Sequence, residues 1–394
     1  MLSVKDLDLA DKAVFLRVDF NVPLDERRNI RNDARIRAAL PTLGYLLDQG
    51  ARVFVASHLG RPKGRRLPEF SLKPVADRLS ELIPQPVGFA LDCIGKDVER
   101  MEVALPPAQV LVLENLRFHA QEEANDAEFA RSLVRRADFY VNDAFGACHR
   151  EHASVEAVTR FVKAAAAGFL VEKEVDYLNK VVRDPEKPFV AILGGAKVSD
   201  KIPVIRNLIR KADDILIGGA MAYTFFAAQG LDTGRSLVER EKTDLAADLL
   251  RQAETAGVNF YLPQDHVVAE SAEADAAEVI SSFPIPSGRM ALDIGPATVD
   301  TYRKVIQRAR TIFWNGPMGV FEADPFASGT DAVALAVAGS PALSIVGGGD
   351  SVAALYKAGV QDKISHISTG GGASLEYVAN ETLPGIQALA EKSK

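Results

Sequence analysis

Residues 189–201 read FVAILGGAKVSDK: an apolar run, a Gly-Gly turn, then a polar segment with helical spacing. The same device returns as DILIGGAMAYTF (214–225), MALDIGPATVD (290–300), TIFWNGPMGVF (311–321), LSIVGGGDSVAAL (343–355) and ISHISTGGGASLEYV (364–378). Six copies of strand, glycine turn and helix imply a parallel α/β sheet. In such sheets ligands bind beyond the carboxyl ends of the strands, where glycine lets backbone N–H groups approach a phosphate closely. The second half of the chain therefore reads as a nucleotide platform.

Upstream, β-rich runs alternate with helically spaced stretches: AVFLRVDFNVP (13–23), ARVFVASHLG (51–60), VLVLENLRF (110–118) and DFYVNDAFG (138–146). Ile36, Leu40, Leu43 and Leu47 mark one intervening helix. The segment VEKEVDYLNKVVRDPEKP (171–188) reads as an amphipathic helix with Val171, Val175, Leu178, Val181 and Val182 on its apolar side, stopped by Asp184-Pro185 and Pro188. The expected architecture is α/β, with two doubly wound parallel-sheet, Rossmann-like domains joined by an interdomain helix and hinge. Expected boundaries are 1–170 for the N-terminal domain, 171–187 for the interdomain helix and 188–375 for the C-terminal domain.

The 394-residue length suits two domains, since single cores seldom keep growing beyond about 250–300 residues. No apolar run approaches a bilayer span, and the start lacks an export-signal pattern, so a cytoplasmic protein without membrane contact is expected. Cys93 and Cys148 are too few for a disulfide framework or a four-ligand zinc site. A net charge of −7 argues against a nucleic-acid partner. The absence of an interface-like apolar repeat favours a monomer.

Arginine is concentrated before about Lys197, which points the first half at anions. In the first strand Arg17, Asp19 and Asn21 share one face, opposite Val14, Leu16, Val18 and Phe20. Arg35, Arg61, Arg117 and Arg150, with His58, supply forked and charged donors for a small acid carrying phosphate and carboxylate. Each arginine alone would more often pair with a surface acid. In the second half, Lys197 in the glycine loop and Lys201 one turn later would face one phosphate tail, with Ser199 or Asp200 available as a helix cap. Asp350, after Gly347-Gly348-Gly349, fits either an N-cap or a Mg²⁺ ligand. The helix after Thr369-Gly370-Gly371-Gly372 would aim its positive end at the glycine loop.

No GxxxxGK[ST], GxGxxG or HRD/DFG pattern occurs, which disfavours Walker-type and protein-kinase folds and a nicotinamide-dependent oxidoreductase. A noncatalytic nucleotide-binding protein of the same fold stays open.

Taken together, RVDFNVP, SHLGRP, ENLRF, VNDAFG with HREHAS, LGGAKVSDKI, GGAMAYTF, WNGPMGVFE, VGGGDS and STGGGASLEY resemble the phosphoglycerate kinase family in order and spacing, over nearly the whole chain. The resemblance implies reversible phosphoryl transfer between 1,3-bisphosphoglycerate and ADP, giving 3-phosphoglycerate and ATP in glycolysis, with Mg²⁺. It implies an acid-substrate site of Asp19, Asn21, Arg35, His58, Arg61, Arg117 and Arg150. It implies a nucleotide site of Gly195, Lys197, Lys201, Gly219, Asn315, Pro317, Glu322, Gly348, Gly349, Asp350 and Ser351, with Glu322 at the ribose and Asp350 at the metal. Arg35, Lys197, Gly371 and Gly372 would stabilise the group in transit, after hinge closure, with no covalent enzyme intermediate. The C-terminal tail, about 376–394, would pack back on the N-terminal domain. Two positions depart from the family: Ser351 stands where threonine is common, and Cys148 where alanine is usual.

Overall fold

The computed structural model describes residues 1–393. The chain divides into two compact units, Met1–Val175 with Thr382–Lys394, and Asp176–Glu381.

The first unit is built on a seven-stranded sheet. Its strands are β1 (Leu2–Ser3), β2 (Ala13–Val18), β3 (Arg52–Ala56), β4 (Val87–Phe89), β5 (Val110–Val112), β6 (Phe139–Asp143) and β7 (Ala164–Ala167), in the order β1-β7-β6-β2-β3-β5-β4. All its pairings are parallel. The chain winds from β2 outward through β3 and then returns to the other side of β2 at β6. The carboxyl ends of β2 and β6 thus flank a topological switch, the place where open α/β sheets bind ligands.

β2 departs from the alternating pattern its sequence suggests. Every residue from Ala13 to Val18 is buried, Arg17 included, so this is a central strand covered on both faces. Asp19 and Asn21 lie beyond its end. On one side Val14, Leu16 and Val18 pack with Ile36, Leu43, Leu46, Leu47, Val53 and Val55, each such side chain contributing about 1.5–3 kcal/mol on burial.

The long helix Phe169–Val182 starts two residues before the expected 171 and stops five residues before 187. Pro185 disfavours helical dihedrals at Asp184, which ends it. Its first turn is held by Asp143, whose Oδ1 accepts the Leu170 N–H at 2.9 Å, and by Thr42, whose Oγ1 accepts the Phe169 N–H at 2.9 Å. Gly168 leaves room for this carboxylate, since a Cβ there would meet Asp143 Oδ1 at 2.2 Å. Burial pushes Asp143 up to about 6, against the hydrogen bonds that favour its charged form.

The second unit contains β8 (Phe189–Leu193), β9 (Asp214–Ile217), β10 (Asn259–Tyr261), β11 (His266–Ala269), β12 (Glu278–Ile280), β13 (Met290–Ile294), β14 (Thr311–Asn315), β15 (Leu343–Gly347) and β16 (His366–Ile367). Six strands form a parallel sheet, β10-β9-β8-β14-β15-β16, and three an antiparallel one, β12-β11-β13. MALDIGPATVD is therefore the exception among the six copies, because β13 pairs with β11 outside the parallel sheet. The parallel order reverses between β8 and β14, a second switch point.

The helix Gly372–Asn380 belongs to this unit: its Val378 carbonyl accepts a hydrogen bond from Asn207 Nδ2, on the helix Ile202–Ile209. The returning tail accordingly begins at Thr382, not near 376. In the first unit, Gly385 at the start of the helix Pro384–Lys392 donates its N–H to the Cys148 carbonyl at 2.9 Å.

Candidate active site

At the β8/β14 switch two glycine turns are pressed together. A Cβ on Gly194 would meet the Pro317 carbonyl at 2.0 Å, and one on Gly316 the Gly194 carbonyl at 2.3 Å. Only glycine allows this approach. Gly219, with φ +69°, stands behind the turn, where a Cβ would meet the Gly195 oxygen at 2.5 Å.

The turns open a cavity of about 400 Å³ lined by Gly195, Lys197, Lys201, Asn315, Pro317, Gly348, Gly349, Asp350 and Ser351 among the expected residues. Gly194, Ala196, Asp200, Gly316 and Leu375 complete it. Lys201 is 8% exposed, and its ammonium donates to Asn315 Oδ1, while Asn315 Nδ2 donates to the Gly347 carbonyl at 2.9 Å. Burial draws the Lys201 ammonium down to about 8, although Asp200 and Asp350 pull the other way. Lys197 is exposed at the cavity wall.

Asp350 lies in the first turn of the helix Gly349–Lys357, whose N-cap is Gly348. The N-cap reading of Asp350 is thereby excluded. Its carboxylate is exposed and makes no hydrogen bond among the described residues, which leaves a hard oxygen donor of the kind Mg²⁺ takes. Ser351 is buried, and its Oγ accepts the Gly316 N–H at 2.6 Å, so the hydroxyl braces the facing turn. Ser199 caps nothing; its Oγ donates to Glu239 Oε1 at 2.6 Å.

Two expected nucleotide residues are absent from the cavity lining. Gly219 supports the Gly195 turn from behind, and Glu322 is exposed after Phe321. Gly371 and Gly372 also lie outside the lining; they begin the helix that contributes Leu375 to it.

In the first unit, the Arg35 guanidinium pairs with Asp19 Oδ2. Asn21 Oδ1 accepts the Gly60 N–H at 2.9 Å, and Arg117 donates to the Gly60 carbonyl at 2.8 Å. Arg61 is exposed and Arg150 half-buried. The rest of these motifs is bracing. Asn115 holds the Leu59 and Phe70 carbonyls at 2.7 and 2.9 Å, Glu114 accepts the Leu72 N–H at 2.8 Å, and Ser57 Oγ accepts the Phe20 N–H at 2.8 Å.

Beneath this face runs a buried polar chain that sequence reasoning missed. Arg17 donates from Nε to Ser154 Oγ at 2.8 Å, and Ser154 donates to Glu122 Oε1 at 2.6 Å. Arg17 also reaches His58 Nδ1 at 3.2 Å. A guanidinium can only donate, so Nδ1 is the acceptor and the His58 proton sits on Nε2. Burial, then the charges of Arg17, Arg117, Arg35 and His152, hold His58 well below the usual histidine range. Burial, then Arg117 and Arg17, draw His152 down to about 3. Arg117 itself is lowered to about 10, first by burial and then by Arg17.

A doubly wound α/β protein with arginines braced at the loops of one unit, and a glycine-walled cavity with two lysines on the other, has the parts of a small-molecule phosphotransferase. The phosphoglycerate kinase family model matches residues 4–381. The chain is 56% identical over 400 residues to a phosphoglycerate kinase of Koribacter versatilis (strain Ellin345), covering 99% of each, and 57% identical over 393 residues to that of Solibacter usitatus (strain Ellin6076), covering 98% of this chain and 99% of the relative. Among solved structures, phosphoglycerate kinase from Coxiella burnetii superposes with a TM-score of 0.91 at 42% identity over all of both chains. That from Pyrococcus horikoshii OT3 superposes with a TM-score of 0.87 at 36% identity, over 100% of this chain and 99% of that one. The chain belongs to the phosphoglycerate kinase family. It is an enzyme that transfers a phosphoryl group to and from a carboxyl group, with ATP or ADP as nucleotide substrate and Mg²⁺.

Proposed function

We propose that the first unit binds 3-phosphoglycerate or 1,3-bisphosphoglycerate through Asp19, Asn21, Arg35, His58, Arg61, Arg117 and Arg150, and that the glycine-walled cavity of the second binds the Mg-nucleotide. The observation that carries this reading is the convergence of Lys197, Lys201 and Asp350 on one cavity at the β8/β14 switch. Lys201 and Lys197 receive the phosphate chain, and the tight glycine turns, whose own N–H groups at Gly194, Gly195 and Gly316 are engaged with Asn315, Pro317 and Ser351, leave room for it to approach the backbone. Asp350 would hold Mg²⁺, which when bound neutralises charge on the phosphate oxygens.

The acyl phosphate is already activated, so the protein needs to align donor and acceptor, exclude water and offset charge. Transfer is direct and in line. Arg35, Lys197 and the N–H groups at Gly371 and Gly372 meet the equatorial oxygens. Ligands held on separate units must be brought together, so the cycle includes hinge closure. Glu322 takes the ribose, and Gly219 acts through the Gly195 turn. The protein works as a cytoplasmic monomer without nucleic-acid or membrane partners; no helix among the described residues is long and apolar enough to cross a membrane.

The test is a coupled assay run in both directions with and without Mg²⁺. Turnover in both directions only with Mg²⁺ is the expected result. Tight nucleotide binding without turnover would instead favour a noncatalytic member of the fold.

A further inference from the structure

Asp92 and Cys93 follow β4, and His119 follows the turn Leu116–Phe118 beyond β5. β4 and β5 pair in parallel at the sheet edge, so both loops leave from the same end. One ligand atom from each of Asp92, Cys93 and His119 lies within 4.8 Å of the others. Asp92 Oδ1 is 2.7 Å from His119 Nε2 and accepts the Cys93 N–H at 2.7 Å. The His119 ring packs on Phe129 with centroids 5.2 Å apart, which limits its rotation. Cys93 is 1% exposed, whereas the Asp92 and His119 side chains retain 39% and 23% exposure. The sulfur sits at the inner end of a small cluster whose other two groups open to solvent.

We propose that Asp92, Cys93 and His119 form a binding site for a thiophilic divalent cation of the zinc class, separate from the Mg-nucleotide site. Sulfur, imidazole nitrogen and carboxylate oxygen are the mixed donor set such ions take, and three protein ligands leave a fourth position for water. With bonds of about 2.0–2.3 Å, tetrahedral ligands stand roughly 3.5 Å apart, so separations near the 4.8 Å limit close by about 1 Å while the Asp92–His119 contact, 2.7 Å in the empty site, opens to admit the ion. Mg²⁺, which prefers oxygen and dehydrates reluctantly, is a poor competitor at a thiol.

On binding, the Cys93 S–H bond breaks and its proton leaves to solvent, the proton between His119 Nε2 and Asp92 Oδ1 is given up as Nδ1 takes one, and the sulfur, Nε2 and carboxylate lone pairs form the metal bonds as the ion sheds water; no electrons are transferred. Without the ion, burial and the carboxylates of Asp92, Glu122 and Glu114 push the Cys93 thiol well up, so it is protonated. Affinity therefore increases with pH. Arg66, with one nitrogen 3.6 Å from Asp92 Oδ2, balances that carboxylate in the empty site, and its 54% exposure lets it swing aside. His119 is two residues from Arg117, so an occupied site would restrain the loop that carries an acid-substrate arginine.

The experiment is a Co²⁺ titration of the full-length protein after chelator treatment, followed by the cobalt–thiolate charge-transfer band in the near ultraviolet. One equivalent should produce the band, and millimolar Mg²⁺ should leave it in place. Cys93→Ser should abolish it and Cys148→Ser retain it. Asp92→Asn and His119→Gln change partly exposed groups outside the core and should each weaken Co²⁺ binding at least about tenfold. Failure to form the band, its survival in Cys93→Ser, or parental affinity in both Asp92→Asn and His119→Gln would overturn the proposal.

Discussion

Lys201 and Asn315 are joined by a buried hydrogen bond from the lysine ammonium to Asn315 Oδ1, and Asn315 in turn holds the Gly347 carbonyl at 2.9 Å. One amide thus ties the helix end after β8 to β15 across β14. Asn315→Ala would leave a buried ammonium and a buried carbonyl without these partners, a loss of about 1–3 kcal/mol. Calorimetric titration with ADP should show affinity reduced by roughly tenfold or more. Parental affinity would mean that Asn315 does not position Lys201.

The same lysine sets a proton linkage. Its value near 8 lies below the ordinary 10.5, so between those limits the unfolded chain binds more protons than the folded one. By itself Lys201 therefore makes stability rise with pH across that window. A phosphate chain favours the ammonium and should raise its pKa, so ADP binding near pH 8–9 should take up a fraction of a proton. Calorimetry in buffers of different ionisation enthalpy measures this uptake. Lys201→Met should abolish it; an unchanged uptake would assign the proton to another group.

Arg35 and Lys197 are proposed to meet charge that is greatest in the transition state. Arg35→Ala and Lys197→Ala should each lower kcat/KM by about 3 kcal/mol of transition-state stabilisation, a factor of roughly one hundred or more, with kcat carrying much of the loss. Steady-state kinetics decides, and near-normal turnover in both variants would remove them from the transfer step.

His58 should be neutral, with its proton on Nε2, at pH 6.5, where an ordinary histidine is half protonated. The Arg17 donor occupies Nδ1, and burial opposes a second proton. Since the folded value is depressed, this histidine's contribution to stability is complete above the ordinary 6.5 and is lost as pH falls below it. Nitrogen-15 chemical shifts of the imidazole report the tautomer directly. A titration centred near 6.5 would contradict the geometry.

What the sequence showed and what it hid follow from how far each constraint reaches along the chain. Gly194 and Gly316 were legible because the glycine turns recur after apolar runs, and the structure supplies the reason: a side chain at either would strike the facing backbone. Arg17 looked like the exposed face of an alternating strand, because the groups that satisfy it, Ser154 and His58, are separated from it by 137 and 41 positions. β13 resembled its neighbours locally, and only its pairing with β11 places it in the antiparallel sheet. Asp92, Cys93 and His119 form no local motif; the parallel pairing of β4 and β5 brings their loops together.

Gly219 separates a residue that supports the nucleotide loop from one that lines it. It has φ +69°, its N–H donates to the Met318 carbonyl at 2.8 Å, and an added Cβ would lie 2.5 and 2.6 Å from the Gly195 oxygen and nitrogen. Both obstacles are backbone, so they cannot yield as the end of a flexible side chain would. Gly219→Ala should therefore destabilise the second unit by at least about 1–3 kcal/mol and displace the Gly195 turn. ADP affinity should fall although residue 219 does not line the cavity. Denaturant unfolding, followed at Trp314 in the buried core of that unit, should move to lower denaturant, while binding of 3-phosphoglycerate to the folded variant persists. Normal stability with normal ADP affinity would show that the turn relaxes around the methyl group and that the close backbone approach is not required.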